Sequence, residues 1–248
     1  DEFLAACPTI QAAGVTPLVV GEAWTVNHLW ESVAVGVLGA EGWNGIWTGA
    51  TDPSGAELTA VWDKFGEILA CSNVGSDSAG LSWQQAIDQV VAGTAAFNIM
   101  GDWAAGYMTT TLGLTPGEGY GYAASPDTEG TFMWLSDSFG LPVGAPNRDN
   151  TLAWLTVLGS VEGQNAFNPL KGSIPARADA VGAASDMYNT YLQAASEDWT
   201  SNRLVGSLAH GAAANDAINS RLDQRLMGIE AAILDIKNAV RPDGRRSP

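Results

Sequence analysis

The sequence predicts a mixed fold, either α/β or α+β. Short apolar runs alternate with helical patterns in the first half of the chain, whereas helical patterns dominate the second half. With 248 residues and 46% hydrophobic content, the chain can form one large domain or two smaller ones with proper cores. No internal repeat and no low-complexity linker interrupts it.

The first half reads as an alternation of helices and strands. In order, we expect a helix over 1–14, a buried strand over 15–21, a helix over 26–37, a Gly- and Trp-rich loop over 39–57, a helix over 58–69, a helix from Ser82 to Gly93, a buried strand over Ala95–Met100 and a helix beginning near Trp103. The helix over 58–69 rests on apolar residues at helical spacing, and Ser82 with Gln85 has the form of a capping box.

The second half reads as mostly helical. Two further strands are expected at Tyr120–Ala124 and Phe132–Ser136, with a turn between them. From Asn150 the pattern is helical to the end, with breaks at 168–180 and at His210-Gly211.

Charge and cysteine content narrow the possible functions. With 27 acidic and 11 basic side chains the net charge is -16, which disfavours binding to nucleic acid and to anionic membranes. Ten tryptophans and 29 glycines are typical of an aromatic-lined, extracytoplasmic protein. Cys7 and Cys71 are either two buried thiols or one disulfide, and their spacing does not distinguish these. No cofactor or zinc site is predicted, because the only histidines are His28 and His210.

Catalytic motifs are not found. The glycines near residue 119 lack a surrounding strand and helix, and neither a phosphate-binding lysine loop nor a nucleophile elbow occurs. Carboxylates such as Asp102, Glu118 and Asp137 could form a glycosidase pair, but residue types alone do not indicate one, since that chemistry is defined by separation in space.

Aromatic and polar residues at the ends of predicted elements form the candidate binding site. They are Trp83, Trp103, Asp137, Lys171 and His210. Rings can cover the apolar face of a sugar while charged groups bind its hydroxyls. The alternative for each tryptophan is core packing; Asp137 could be a turn residue, Lys171 a surface charge and His210 a helix terminator.

Four segments carry a family resemblance. They are GVTPLVVG, AFNIMGDWAAGY, FMWLSDSFGLPVGAPN and NPLKGSIPARADA. Together they resemble the extracellular solute-binding proteins of sugar ABC transporters, most closely the glucose/mannose-binding branch, over residues 1 to about 240.

The resemblance implies a two-lobed, type II periplasmic-binding-protein fold of the α/β class. It implies that a monosaccharide binds in a cleft between the two lobes and that Trp83 and Trp103 lie near this sugar. Its hydroxyls would form hydrogen bonds with Asp137, Lys171 and His210. It further implies delivery to the permease subunits of an importer, a periplasmic or extracellular location, a lipid anchor as one option, a monomer and no enzymatic activity. The alternative is a carbohydrate-active enzyme of the glycoside hydrolase type.

The resemblance also implies a division of the chain. Residues 1–123 correspond to the first part of the second lobe, 124–165 to a returning segment of the first lobe, 166–240 to return helices of the second lobe and 241–248 to a tail. Most of the first lobe is expected to be missing, so that the strand at Phe132–Ser136 should have unpaired edges and its apolar face no partner. Binding by the isolated chain should then be weak.

Overall fold

The computed structural model describes residues 1–74, 80–183 and 188–207. The helices are α1 (Glu2–Ala12), α2 (Ala23–Thr48), α3 (Ala56–Leu69), α4 (Trp83–Val91), α5 (Trp103–Gly106), α6 (Arg148–Leu158), α7 (Val161–Lys171), α8 (Ala178–Ala183) and α9 (Thr190–Ser201). The strands are β1 (Thr16–Val19), β2 (Ala95–Asn98), β3 (Thr131–Trp134) and β4 (Arg203–Gly206), and a π-helical turn, Tyr107–Thr111, follows α5.

The described residues divide into two compact units. The first unit comprises Asp1–Met100, Ala124–Trp134 and the described residues from Arg203 onward, and the second comprises Gly101–Ala123 and Leu135–Asn202. All four strands named above lie in the first unit, whereas the second contains α5 to α9. The predicted assignment of 1–123, 124–165 and 166–240 to two lobes stays a prediction.

The first unit has two parallel strand pairs. Strand β1 pairs with β2, with Thr16 opposite Ala95. Strand β3 pairs with β4, with Thr131 opposite Arg203, and Met133 packs against the main core. The expectation of an unpaired, unpacked strand at Phe132–Ser136 was therefore wrong for one edge and for Met133, because β4 was not foreseen in a segment that was expected to be helical. Among the described residues, the sheet has only these two strands, so the other edge of β3 pairs with no further strand.

Aromatic side chains form the centre of this unit. Trp30 lies 5.4 Å from Trp62 and 6.0 Å from Trp43 between ring centroids, and all three rings are buried. For these three tryptophans, the core-packing alternative considered from the sequence is the correct one.

A disulfide bond cross-links two parts of the first unit. Cys7 of α1 and Cys71, just after α3, form a disulfide with their Cα atoms 5.9 Å apart. Of the two alternatives left open by the sequence, the structure has the disulfide.

Four local predictions were wrong. Helix α2 continues to Thr48 through the segment predicted as a loop, bending at Gly39, because buried Trp43 and Ile46 anchor its second half in the core. Residues 120–124 form no strand. Strand β2 was expected to be buried, but Phe97 on it is half exposed. The break expected from residue 168 begins only after Lys171, because α7 tolerates Pro169 in its last turn.

Candidate functional site

An ion pair in the second unit joins two of the residues predicted from the sequence. Lys171 Nζ lies 3.1 Å from Asp137 Oδ2, and the side chains are 30% and 62% exposed. Asp137 lies in the loop after β3, as predicted, and Lys171 is the last residue of α7 rather than part of a break. An exposed pair of this kind adds little to stability, and its charged groups can be reached from solvent.

Two glycines fix the position of Lys171. Gly172 ends α7 in the left-handed conformation, with φ +80°. A Cβ on Gly172 would lie 2.8 Å from the carbonyl oxygen of Asp102, and a Cβ on Gly106 would collide with the carbonyl group of Lys171. The backbones of α5 and α7 therefore touch, and this contact needs glycine on both sides.

The contact brings a second carboxylate to the pair. Burial raises the pKa of Asp102 to about 6, while the positive charge of Lys171 lowers it and the negative charge of Asp137 raises it less. One ammonium group and two carboxylates thus influence each other at this point. Asp102 was considered from the sequence only as one of several carboxylates, although the GDW segment that contains it was recognised.

Aromatic rings accompany these charges. Trp103 begins α5, as predicted, and its ring covers Gly101, where a Cβ would collide with it. Burial and the charge of Asp102 raise the pKa of Tyr191, which places that phenol in the same electrostatic environment. Tyr122 packs edge-on against Tyr191 with 5.1 Å between ring centroids. Neither tyrosine was named from the sequence, since nothing in the local pattern marks them.

A hydrogen-bonded threonine ties the neighbouring segments together. Thr109 Oγ1 lies 3.2 Å from the hydroxyl of Tyr120 and accepts a hydrogen bond of 3.4 Å from Asn189 Nδ2. Thr110 donates to the carbonyl oxygen of Leu170 over 3.0 Å. The π-helical turn therefore holds the end of α7 and the start of α9 beside α5.

Trp83 belongs to the first unit and is described separately. It begins α4, as predicted, after the capping box of Ser82 and Gln85. Its backbone N–H donates to Glu22 Oε2 over 3.0 Å, and the indole of Trp24 donates to the same oxygen over 3.1 Å.

The structure thus joins Asp137 and Lys171 beside the segment of Trp103, and His210 lies outside the described residues.

Within the described part of the chain, no group of three or more His, Cys, Asp and Glu side chains could hold a metal ion. The helices described there include none with the length and apolar character needed to cross a bilayer.

Comparison with known proteins identifies the protein family to which the chain belongs. Residues 1–165 match the model of the bacterial extracellular solute-binding protein family, so the chain belongs to that family.

Curated relatives support this membership. The chain is 31% identical to an uncharacterized ABC transporter extracellular-binding protein of Pyrococcus horikoshii, over 98% of this chain and 56% of the relative. It is 30% identical to a probable sugar-binding periplasmic protein of Mesorhizobium japonicum, over 88% of this chain and 53% of the relative. A xylose/arabinose-binding protein of Haloferax volcanii is also 30% identical, over 86% of this chain and 46% of the relative. The chain spans about half the length of these relatives.

Solved structures confirm the predicted fold. A chitin oligosaccharide binding protein superposes with a TM-score of 0.76 at 16% identity, covering 96% of this chain and 62% of that one. The bacterial solute receptor AcbH, described as having an exclusive preference for β-D-galactopyranose, gives a TM-score of 0.72 at 16% identity, covering 98% and 64%. The chain thus has the α/β fold of type II periplasmic binding proteins.

Proposed function

We propose that this protein is the substrate-binding component of a sugar ABC importer. It binds a monosaccharide of the glucose or mannose type outside the cytoplasmic membrane and delivers it to the permease subunits. It acts as a monomer and makes or breaks no bond in the sugar. The ion pair between Asp137 and Lys171 is the observation that carries this proposal.

The chemistry of the pair suits a sugar. Adjacent sugar hydroxyls both donate and accept hydrogen bonds, so one can donate to a carboxylate while its neighbour accepts from an ammonium. Lys171 Nζ and Asp137 Oδ2, 3.1 Å apart, offer that combination. Bonds to charged groups are stronger than neutral ones, and the contact between α5 and α7 fixes the backbone at Lys171, which lowers the entropy cost of ordering that residue on binding.

The surrounding groups supply the rest of a sugar site. Trp103 offers a large apolar face to the C–H surface of a pyranose. Asp102 can accept from a further hydroxyl when ionised. Trp83 and His210 remain proposed contacts that rest on the family resemblance.

Calorimetry with glucose, mannose and galactose tests this proposal on the protein expressed from its complete gene. Asp137→Ala should weaken binding of the preferred hexose by roughly 10- to 100-fold, since a hydrogen bond to a charged group is lost. Asp179→Ala is the matched control: Asp179 pairs with Arg177 over 2.7 Å in the same unit and is 58% exposed. Absence of heat with every hexose, or equal loss in both variants, would contradict the proposal.

A carbohydrate-active enzyme is the second candidate. The observation in its favour is Asp102, whose pKa of about 6 would suit a general acid beside a second carboxylate. Its test is the release of nitrophenol from nitrophenyl glycosides at high protein concentration. Turnover that Asp102→Asn abolishes would establish the enzyme, whereas its absence together with binding heat establishes the receptor.

A further inference from the structure

The helical turn that carries Lys171 lacks one of its own backbone hydrogen bonds. Pro169 lies inside the last turn of α7, two residues before Lys171. Because proline has no backbone N–H, the helical bond from residue 169 to the carbonyl oxygen of Asn165 cannot form. The end of α7 therefore needs hydrogen bonds from other groups to keep Lys171 in place.

Asn168, the residue before this proline, supplies such bonds. It is only 4% exposed. Its backbone carbonyl oxygen accepts from the N–H groups of Gly172 and Ser173 over 2.8 Å and 3.2 Å. Its side-chain Oδ1 accepts from the hydroxyl of Ser173 over 2.7 Å. The segment from Asn168 to Ser173 is thus a hydrogen-bonded turn that contains Lys171.

A neighbouring amide holds Asn168 in the same orientation. Asn168 Nδ2 donates to the backbone oxygen of Gln164 over 2.9 Å and to its Oε1 over 3.2 Å. Gln164 Oε1 also accepts from the backbone N–H of Ala176 over 2.9 Å, and its Nε2 donates to the carbonyl oxygen of Leu158 over 2.9 Å. Both polar atoms of the buried Asn168 side chain therefore have partners. Such a network favours one geometry, because breaking a bond leaves a buried polar group unsatisfied.

We infer that Asn168 is a positioning residue for Lys171, which acts through its bond to Ser173 and keeps the ammonium group beside Asp137. The inference rests on the proposed function and adds to it a residue that does not touch the sugar. A lysine side chain has many rotamers, so a fixed backbone lowers the entropy cost of ordering it on a ligand.

The experiment removes a single hydroxyl group and measures hexose binding by calorimetry. Ser173→Ala deletes the donor to Asn168 Oδ1 and should weaken binding about two- to tenfold, the cost of ordering one long side chain. Ser160→Ala is the matched control, since Ser160 caps the other end of α7 and its hydroxyl accepts from the N–H of Gly163 over 3.0 Å. The control should lower the unfolding temperature and leave the affinity unchanged.

A double-mutant cycle separates positioning from a purely structural role. In the Lys171→Met background the ammonium group is absent, so Ser173→Ala should change the affinity by less than about twofold. Equal losses with and without Lys171 would mean that Ser173 affects the site by another route, and would overturn the inference. Asn168→Ala should weaken binding at least as much as Ser173→Ala; if this variant does not fold, Ser173→Ala alone decides.

The outcomes distinguish this inference from the proposed function. If the wild type binds a hexose and Asp137→Ala weakens that binding, but Ser173→Ala binds as tightly as the wild type, only the positioning inference fails. If the wild type gives no heat with any hexose, the proposed function fails and the inference with it.

Discussion

The backbone of Asp102 lies directly against Gly172, so closely that a Cβ on Gly172 would sit 2.8 Å from the Asp102 carbonyl oxygen. This contact joins residues 70 positions apart and places Lys171, the neighbour of Gly172, within the electrostatic reach of the Asp102 carboxylate. The candidate site thus depends on backbone packing as much as on its charged side chains.

Replacing Gly172 should disturb the site more than replacing another glycine of the same conformation. Gly172→Ala adds a left-handed strain of about 1–2 kcal/mol and a collision with α5, so Lys171 must move. Gly144→Ala is the control, since Gly144 has φ +79° but nothing within 4 Å of its virtual Cβ. Thermal unfolding and hexose binding of both variants give the comparison, and equal losses would show that the contact is unimportant.

Asp102 should make stability depend on pH in a definite direction. Its pKa rises from 3.8 to about 6 on folding, so the folded state binds the proton more tightly. The stability that comes from this proton is complete below about pH 3.8 and is lost as the pH rises through about 6, by about 3 kcal/mol. Relative to the wild type, Asp102→Asn should therefore become more stable by about that amount between pH 4 and pH 7.

Denaturant unfolding of the wild type and of Asp102→Asn between pH 4 and pH 7 measures the difference between their free energies of unfolding. The contributions of the other carboxylates are the same in both proteins and cancel in this difference. A difference that stays constant with pH would mean that Asp102 is not desolvated.

Trp62 should contribute to stability and not to binding. It is buried and packs against Trp30 and, at 5.9 Å between ring centroids, against Phe65. Trp62→Ala should lower the free energy of unfolding by about 3–5 kcal/mol through the cavity it leaves. Trp134→Ala, at a position 38% exposed in the same unit, should cost clearly less. Similar losses in the two variants would contradict the described core.

Reducing the disulfide should destabilise the first unit. Cys7 and Cys71 are separated by 64 positions, and releasing a loop of that length lowers the free energy of unfolding by about 4 kcal/mol in the chain-entropy model. Unfolding with and without dithiothreitol measures the effect, and the Cys7→Ser, Cys71→Ser double variant serves as a control that should not respond to the reductant. A wild-type protein equally indifferent to the reductant would indicate free thiols.

The helices and strands that were predicted correctly are those whose cause lies in the local sequence. Helix α3 has apolar residues at helical spacing, and α4 begins at the capping box of Ser82. The second half of α2 was missed because its glycines suggest a loop, whereas the burial of Trp43 and Ile46 in a core built from other segments holds it helical. Strand β4 was missed because its partner, β3, lies about 70 residues earlier.

The residues of the candidate site divide in the same way, into those marked by a sequence motif and those whose role depends on packing. Asp137 and Lys171 were found through motif resemblance, and the structure joins them. Asp102 and Tyr191 could not be singled out, because Asp102 matters through its burial and the charges of Lys171 and Asp137, and Tyr191 through its burial and the charge of Asp102. These depend on the packing of α5, α7 and α9.

The most direct test of the account is calorimetric titration of Lys171→Met with the preferred hexose, beside Lys64→Met. Lys64 is the matched control, since it pairs with Asp1 at 3.1 Å and its side chain is 33% exposed, close to the 30% of Lys171. We expect Lys171→Met to weaken binding by roughly 10- to 100-fold and Lys64→Met to leave it unchanged. Unaltered affinity in Lys171→Met would contradict the claim that the pair with Asp137 holds the sugar.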